Sequence, residues 1–230
     1  MNGLLMARLL QLASPALPVG AYTYSQGLEW AIEAGQVHDE ASAARWIGDV
    51  LEHNLGAYEL PLLFALAVAW EQHDALAVSS LNADYLATRE GAELLAETSQ
   101  MGHSLHRLLS EFPEIDEVCR TTLTTAAHDA GAPAFPTVWS ALAGAWGLSA
   151  QDSAAAYAWS WAENQVMAAL KAVPLGQSAG QRLLHALGAR LPAVVGRAAV
   201  LKPDDWSNFL PGLALATARH ETQYSRLFRS

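Results

Sequence analysis

The chain has one cysteine, Cys119, and two lysines, Lys171 and Lys202. A single thiol rules out an internal disulfide and a cysteine-based zinc cluster. Only 16% of the residues are charged, against about 25% for ordinary globular domains. No G-x-x-x-x-G-K-[ST] occurs, so the chain carries no phosphate-binding loop of that type, and no H-E-x-x-H metal helix occurs either. The longest uncharged apolar run, Leu60 to Trp70, is much shorter than the roughly 20 residues a bilayer span needs. The apolar start lacks a positive n-region and is interrupted by Arg8 and Gln11, which is unlike a secretory signal. A cytoplasmic location is expected. Runs of alternating or β-branched residues bounded by turns are missing as well, which leaves nothing from which to build a sheet.

What the 230 residues do contain is apolar and helical. Hydrophobic residues make up 52% of the chain, including eight tryptophans. That much apolar surface is hard to hide in one domain, so a homodimer or a complex subunit is expected. Leu94, Thr98, Met101, Leu105 and Leu108 fall on one stripe at spacings of three and four, as do Ala44, Ile47, Leu51 and Leu55, and Leu184, Leu187 and Leu191. Alanine, the best helix former, is abundant from Ala141 to Ala172. Proline and glycine break the pattern at Pro15–Gly20, Phe112-Pro113, Gly131–Pro136, Pro174–Gly180, Pro203 and Pro211. The reading is an all-α, single-domain bundle of roughly eight to ten helices over residues 1–230, with a flexible crossover at Asp116–Gly131.

Charge is unevenly spread. Residues 1–180 carry 6 basic and 20 acidic side chains, whereas residues 181–230 carry 7 and 3. The net charge of −10 argues against nucleic acid or an anionic membrane as partner. The basic C-terminal part suits an acidic protein partner instead.

Three local patterns invite chemistry. Gly176-Gln177-Ser178-Ala179-Gly180 spells G-x-S-x-G, and Asp204 or Asp205 and then His220 follow in the order of an α/β-hydrolase triad. That elbow needs a strand before the serine, and Trp161–Lys171 reads as a helix. The stretch is therefore expected to be a loop joining helices, with a serine hydrolase as the alternative function. His103 and His106 form H-x-x-H on a solvated helix face and lack further ligands for a tight metal site. The carboxylates are expected on solvated faces, so neither a catalytic set nor a cofactor or metal is assigned.

Two segments carry more than these explanations use. In Ser14–Glu29, Thr23 and Gln26 can form a capping box for the next helix, which still leaves the tyrosines and Glu29 unexplained. The tail from His220 to Ser230 offers Tyr, Phe and two Arg, types enriched at interfaces. It is expected to dock on a partner as an arm, with Tyr224 and Phe228 sharing one face if it is helical.

LLQLASPALPVGAYTYSQGLE (Leu9–Glu29), PLGQSAGQ (Pro174–Gln181) and YSRLFRS (Tyr224–Ser230) together resemble the signature segments of the urease accessory protein F (UreF) family, in order and over the family's length. The resemblance implies an all-α, non-catalytic dimer. Such a dimer bridges a second accessory protein, D or H, to the nickel-carrying GTPase, accessory protein G, and through that complex delivers nickel to apo-urease. It further implies that Tyr24, Gln26 and Glu29 lie near the dimer or GTPase face. Lys171 and Gln177 to Gln181 would help form the GTPase-facing surface. Arg219, Glu221, Tyr224, Arg226, Phe228 and Arg229 would dock the tail, about 219–230, onto the D/H protein.

Overall fold

A computed structural model describes residues 2–230, and among them helices account for every regular element. They run as α1 (Gly3–Leu12), α2 (Leu28–Glu33), α3 (Glu40–Val50), α4 (Leu60–Glu71), α5 (Ala75–Ala87), α6 (Ala92–Leu109), α7 (Glu117–Ala130), α8 (Phe135–Ala145), α9 (Ala150–Ala172), α10 (Gln177–Ala198) and α11 (Pro211–His220). A π-helical segment, Leu51–Glu59, fuses α3 and α4 into one rod, which leaves ten separate helices. The all-α expectation holds.

Local chemistry explains the boundaries. Asp39 opens α3 with a reciprocal capping box, its carboxylate accepting from the Ser42 amide at 2.7 Å while Ser42 Oγ accepts from the Asp39 amide at 3.0 Å. Pro61 sits inside the rod and has no N–H for the turn before it. The Ala57 carbonyl, four residues back, instead accepts from the Ser207 amide at 3.1 Å. The flexible crossover expected at Asp116–Gly131 is instead α7. Asp116 caps it by accepting from the Cys119 amide at 2.8 Å, Gly131 ends it at φ 80°, and Thr122, Leu123 and Ala126 form its buried stripe.

The core centres on α8. Every residue from Phe135 to Ala143 is buried, between α6 on one side and α4 on the other. Trp139 is fully buried and meets Tyr157 of α9 edge-on at 5.2 Å, and its Nε1 donates to Ser153 Oγ at 3.1 Å. Truncating such a side chain costs about 3–5 kcal/mol. Long helices α9 and α10 pack along each other, and α9 also meets α1, α2 and α4. One apolar cluster runs from Leu12 through these helices to Phe228, so the last residues of the chain belong to the core. Gly102 lets α6 approach the 131–134 turn, since a Cβ there would lie 1.9 Å from the Pro133 carbonyl oxygen.

No helix among the described residues is long and apolar enough to cross a membrane.

Candidate functional site

The Ser14–Glu29 segment and the C-terminal tail, far apart in sequence, form one seam. The chain reaches α2 through a short 3₁₀ turn, Ala21–Thr23, and two successive left-handed residues, Gln26 at φ 51° and Gly27 at φ 75°. A non-glycine residue in that region is strained and needs its surroundings to hold it. The Gln26 side chain supplies the hold: Nε2 donates to Glu97 Oε1 at 2.9 Å and Oε1 accepts from Trp161 Nε1 at 2.7 Å. The expected capping box of Thr23 and Gln26 is absent because both side chains are used elsewhere, Thr23 donating to the Gly20 carbonyl.

Glu29 lies in the first turn of α2 and is buried. Its carboxylate accepts from the Leu227 amide at 2.6 Å, the Phe228 amide at 2.9 Å and His220 Nε2 at 3.1 Å. His220 is wholly buried, and its Nδ1 meets Glu93 at 2.7 Å. Glu93 also takes Arg226 at 2.7 Å. Beyond it the Arg229 amide donates to the Thr23 carbonyl at 2.7 Å, and the Ser230 carbonyl accepts from the Ser25 amide at 2.6 Å and from Ser25 Oγ. Phe228 is only 7% exposed, with Lys171 Nζ 5.5 Å from its ring centre. Glu221 caps α6 by accepting from the Ala92 amide at 2.7 Å.

The tail is therefore a strap seated on its own chain. It is not a free arm, and it is not helical beyond His220. Phe228 fills a pocket of this chain, while Tyr224 and Leu227 project fully outward. The reason is polar: backbone amides in an irregular segment need acceptors, and Glu29 provides them.

Behind the seam lies a cavity of about 50 Å³ lined by Gln26, Glu59, Arg89, Glu97, Tyr157 and Trp161, among others. Arg89 Nη1 pairs with Glu59 at 2.9 Å, Tyr157 donates to the other Glu59 oxygen at 2.9 Å, and Arg89 Nε is buried without a partner. Burial pushes the Glu97 carboxyl up to about 7, aided by the charge of Glu59. Burial also raises the Tyr157 and Tyr85 hydroxyls. The expectation that the carboxylates are solvated thus fails for Glu29, Glu59 and Glu97.

The other predicted residues are distributed as follows. Tyr24 is buried, with its hydroxyl on Gln100, and its carbonyl accepts from Asn164 at 3.1 Å. Lys171, Gln177, Ser178 and Gln181 are exposed around the start of α10, and Arg219, Glu221, Tyr224, Arg226 and Arg229 are exposed around the tail. The hydrolase alternative has no support in this geometry. Ser178 sits in the first turn of a helix preceded by another helix, Asp204 and Asp205 lie in an exposed 3₁₀ turn, and both nitrogens of His220 are occupied by glutamates. His103 and His106 border an open groove, where partial burial and then the neighbouring imidazole hold His106 below its usual range. Among the described residues no group of three or more His, Cys, Asp or Glu side chains is arranged so that it could hold a metal ion. Sequence reasoning missed Ser25, Glu93, Glu97 and Arg89. The spacing of Glu93, Glu97 and Gln100 was a readable signal, since residues four and seven apart share a helix face.

These features define a class: an all-helical protein whose C-terminus is clamped by buried carboxylates onto its N-terminal loop, with an aromatic and basic outer rim. The UreF family model matches residues 37–188. The urease accessory protein UreF of Azoarcus sp. (strain BH72) is 59% identical over 230 residues, covering 100% of this chain and 97% of its own. That of Dechloromonas aromatica (strain RCB) is 57% identical over 225 residues, covering 98% and 97%. That of Azotobacter vinelandii (strain DJ / ATCC BAA-1303) is 47% identical over 230 residues and covers both chains fully. The chain belongs to the UreF family of urease accessory proteins.

Proposed function

We propose that the protein is a cytoplasmic, non-catalytic, single-domain scaffold of urease maturation. Acting as a homodimer, it bridges accessory protein D/H to the nickel-carrying GTPase, accessory protein G, for nickel insertion into apo-urease. The observation that carries this reading is the outer rim of the strap. Tyr224, Leu227, Arg219, Arg226 and Arg229 are exposed, Arg226 and Arg229 with one nitrogen each on Glu93 and Gln100, while the strap backbone beneath is fixed, which is a preorganised apolar and basic surface suited to an acidic partner. We assign this rim to the D/H protein. Lys171, Gln177 and Gln181, at the end of α9 and the start of α10, are assigned to the GTPase face. Tyr24, Gln26, Glu29, Glu221 and Phe228 act indirectly on these faces, by holding loop and tail in place. Exposed Leu4, Leu10, Leu76 and Phe209 supply apolar surface for self-association.

The test separates surface from support. The double variant Tyr224→Ala, Leu227→Ser removes two outward side chains and should melt like the parent. In titration against the purified D/H protein it should bind at least about tenfold more weakly, the loss expected when interface anchors are truncated. Unchanged affinity would reject the assignment of the rim, and sedimentation as a monomer at micromolar concentration would reject the homodimer.

A further inference from the structure

The clamp contains more carboxylates than it has cations to balance them. Glu59 and Glu97 line the same cavity, and among the described residues only one guanidinium, that of Arg89, reaches it. Arg89 bonds Glu59, whose second oxygen takes the Tyr157 hydroxyl, so Glu59 is the oxygen pair built to hold a charge. Glu97 receives only neutral partners, Gln26 Nε2 at 2.9 Å on one oxygen and Ser230 Oγ at 3.2 Å on the other. It is 6% exposed. A buried carboxylate facing a second carboxylate, with the cation committed to its neighbour, is relieved either by a proton or by water. The neutral carboxyl keeps one oxygen for Gln26 and can donate from the other to Ser230 Oγ.

The groups facing Glu97 come from every element around it. Glu59 belongs to the π segment, and Tyr85 to α5. Arg89 lies in the turn after α5. Tyr24 and Gln26 come from the loop and Ser230 from the strap. The strap is the part of this cover that can leave, since it has no regular structure and is held by hydrogen bonds to Glu29, Ser25, Thr23 and Gln100, by the Arg226–Glu93 pair and by one apolar side chain, Phe228.

We propose that Glu97 is a proton-operated latch for the C-terminal strap: with a proton bound it seals the seam through Gln26 and Ser230, and on losing that proton it draws water in and loosens residues 225–230. This goes beyond the scaffold role and stands or falls without any partner. The elevated carboxyl, near 7, places the change where the ordinary glutamate range would not. His220, held between Glu29 and Glu93 at the end of α11, is another buried polar group next to the strap.

The experiment is hydrogen–deuterium exchange on the isolated full chain at pH 6 and pH 8, with each rate corrected for the intrinsic pH dependence of exchange. Protection of the peptide covering 225–230 should fall at least about tenfold relative to α8 between the two pH values, because a group titrating near 7 passes from mostly neutral to mostly ionised. In Glu97→Gln, which is neutral throughout and can accept from Gln26 and donate to Ser230, the fall should shrink to within about twofold. Should that variant not fold, Ser230→Ala, which severs the contact between strap and latch, should show low protection at both pH values. Equal protection of the parent at pH 6 and pH 8 would overturn the latch. So would a full fall surviving in either variant.

Discussion

Two glycine-bearing stretches, Ser14–Glu29 and Pro174–Gln181, look alike in composition and are built in opposite ways. The first turns through left-handed backbone at Gly20, Gln26 and Gly27 and buries Tyr24, Ser25 and Glu29. The second enters α10 without any positive φ, Gly176 sitting at φ −77° with open space around its Cβ position, and it leaves Gln177, Ser178 and Gln181 in solvent. The difference is what else in the chain needs the segment. The first supplies acceptors and donors to a tail that has no ladder of its own, whereas the second only starts a helix. A turn motif acquires structural weight from the polar groups it satisfies elsewhere.

The sharpest way to break this contrast is to remove the acceptor. Glu29→Ala would leave the Leu227 and Phe228 amides and the His220 ring facing a buried gap. Removing one partner of a buried charged network costs about 3–5 kcal/mol, a large part of the 5–15 kcal/mol that holds a domain together. At roughly 2–4 °C per kcal/mol for a chain of this size, the melting temperature should drop by about 10 °C. Gln181→Ala in the second stretch should leave it unchanged. Deleting Tyr224 to Ser230 should also destabilise the fold, because Phe228 leaves the core with it.

Titration should sharpen the comparison next. Glu97 binds its proton more tightly in the folded chain, near 7 against an ordinary 4.5. Between those values the folded state holds a proton that the unfolded state has released, so stability falls as pH rises through the window. The contribution is complete below about 4.5 and gone above about 7, worth roughly 3 kcal/mol at 1.36 kcal/mol per pH unit. Denaturant unfolding at pH 5 and pH 7.5 should show the loss, and Glu97→Gln should remove most of it. A parent stability that rises across this window would contradict the assignment.

Much of the architecture was legible from residue type. Helical stripes such as Thr98, Met101 and Leu105 are buried as their spacing implied, and the lack of β-branched runs excluded a sheet. Helix α7 was misread because Asp116 was not taken as its cap. The seam was harder to see. Its bonds join residues about 200 positions apart, such as Glu29 and Phe228, and no local period marks a carboxylate that will be buried by a distant backbone. Tyr, Phe and Arg in a tail signal contact, but whether that contact is with another protein or with the chain itself depends on an acceptor elsewhere. Phe228 went inward because Glu29 fixes the amides beside it, and Tyr224 stayed out.

A matched pair of glycine substitutions gives a smaller effect. Gly27→Ala places a Cβ about 3.0 Å from Ala216 Cβ and the Thr217 amide, on backbone at φ 75°. Strain of that kind costs about 1–3 kcal/mol before any shift of α11 is counted. Gly176→Ala meets nothing within 4 Å at an ordinary φ. Glycine is a tolerated N-cap and alanine a poor one, so the exchange should cost about 0.5–1 kcal/mol with no backbone strain added. Equal losses in the two thermal melts would erase the distinction between the stretches.

Ser178→Ala should have the smallest effect of all. The serine lies at the second position of α10, is exposed, and makes no side-chain hydrogen bond in the structure. Its amide is among the first of the helix and needs no partner within it. Alanine is also the better helix former there, which offsets any loss of solvation of the hydroxyl. The expected change in stability is within about 0.5 kcal/mol, as for surface sites away from caps and networks. Urease activation in a reconstituted system should stay within about tenfold of the parent, a margin of 1.4 kcal/mol that no exposed hydroxyl of this kind is placed to supply. A larger loss, with the melt and partner binding intact, would mean that Ser178 does chemistry or makes a contact that a helix start alone does not explain.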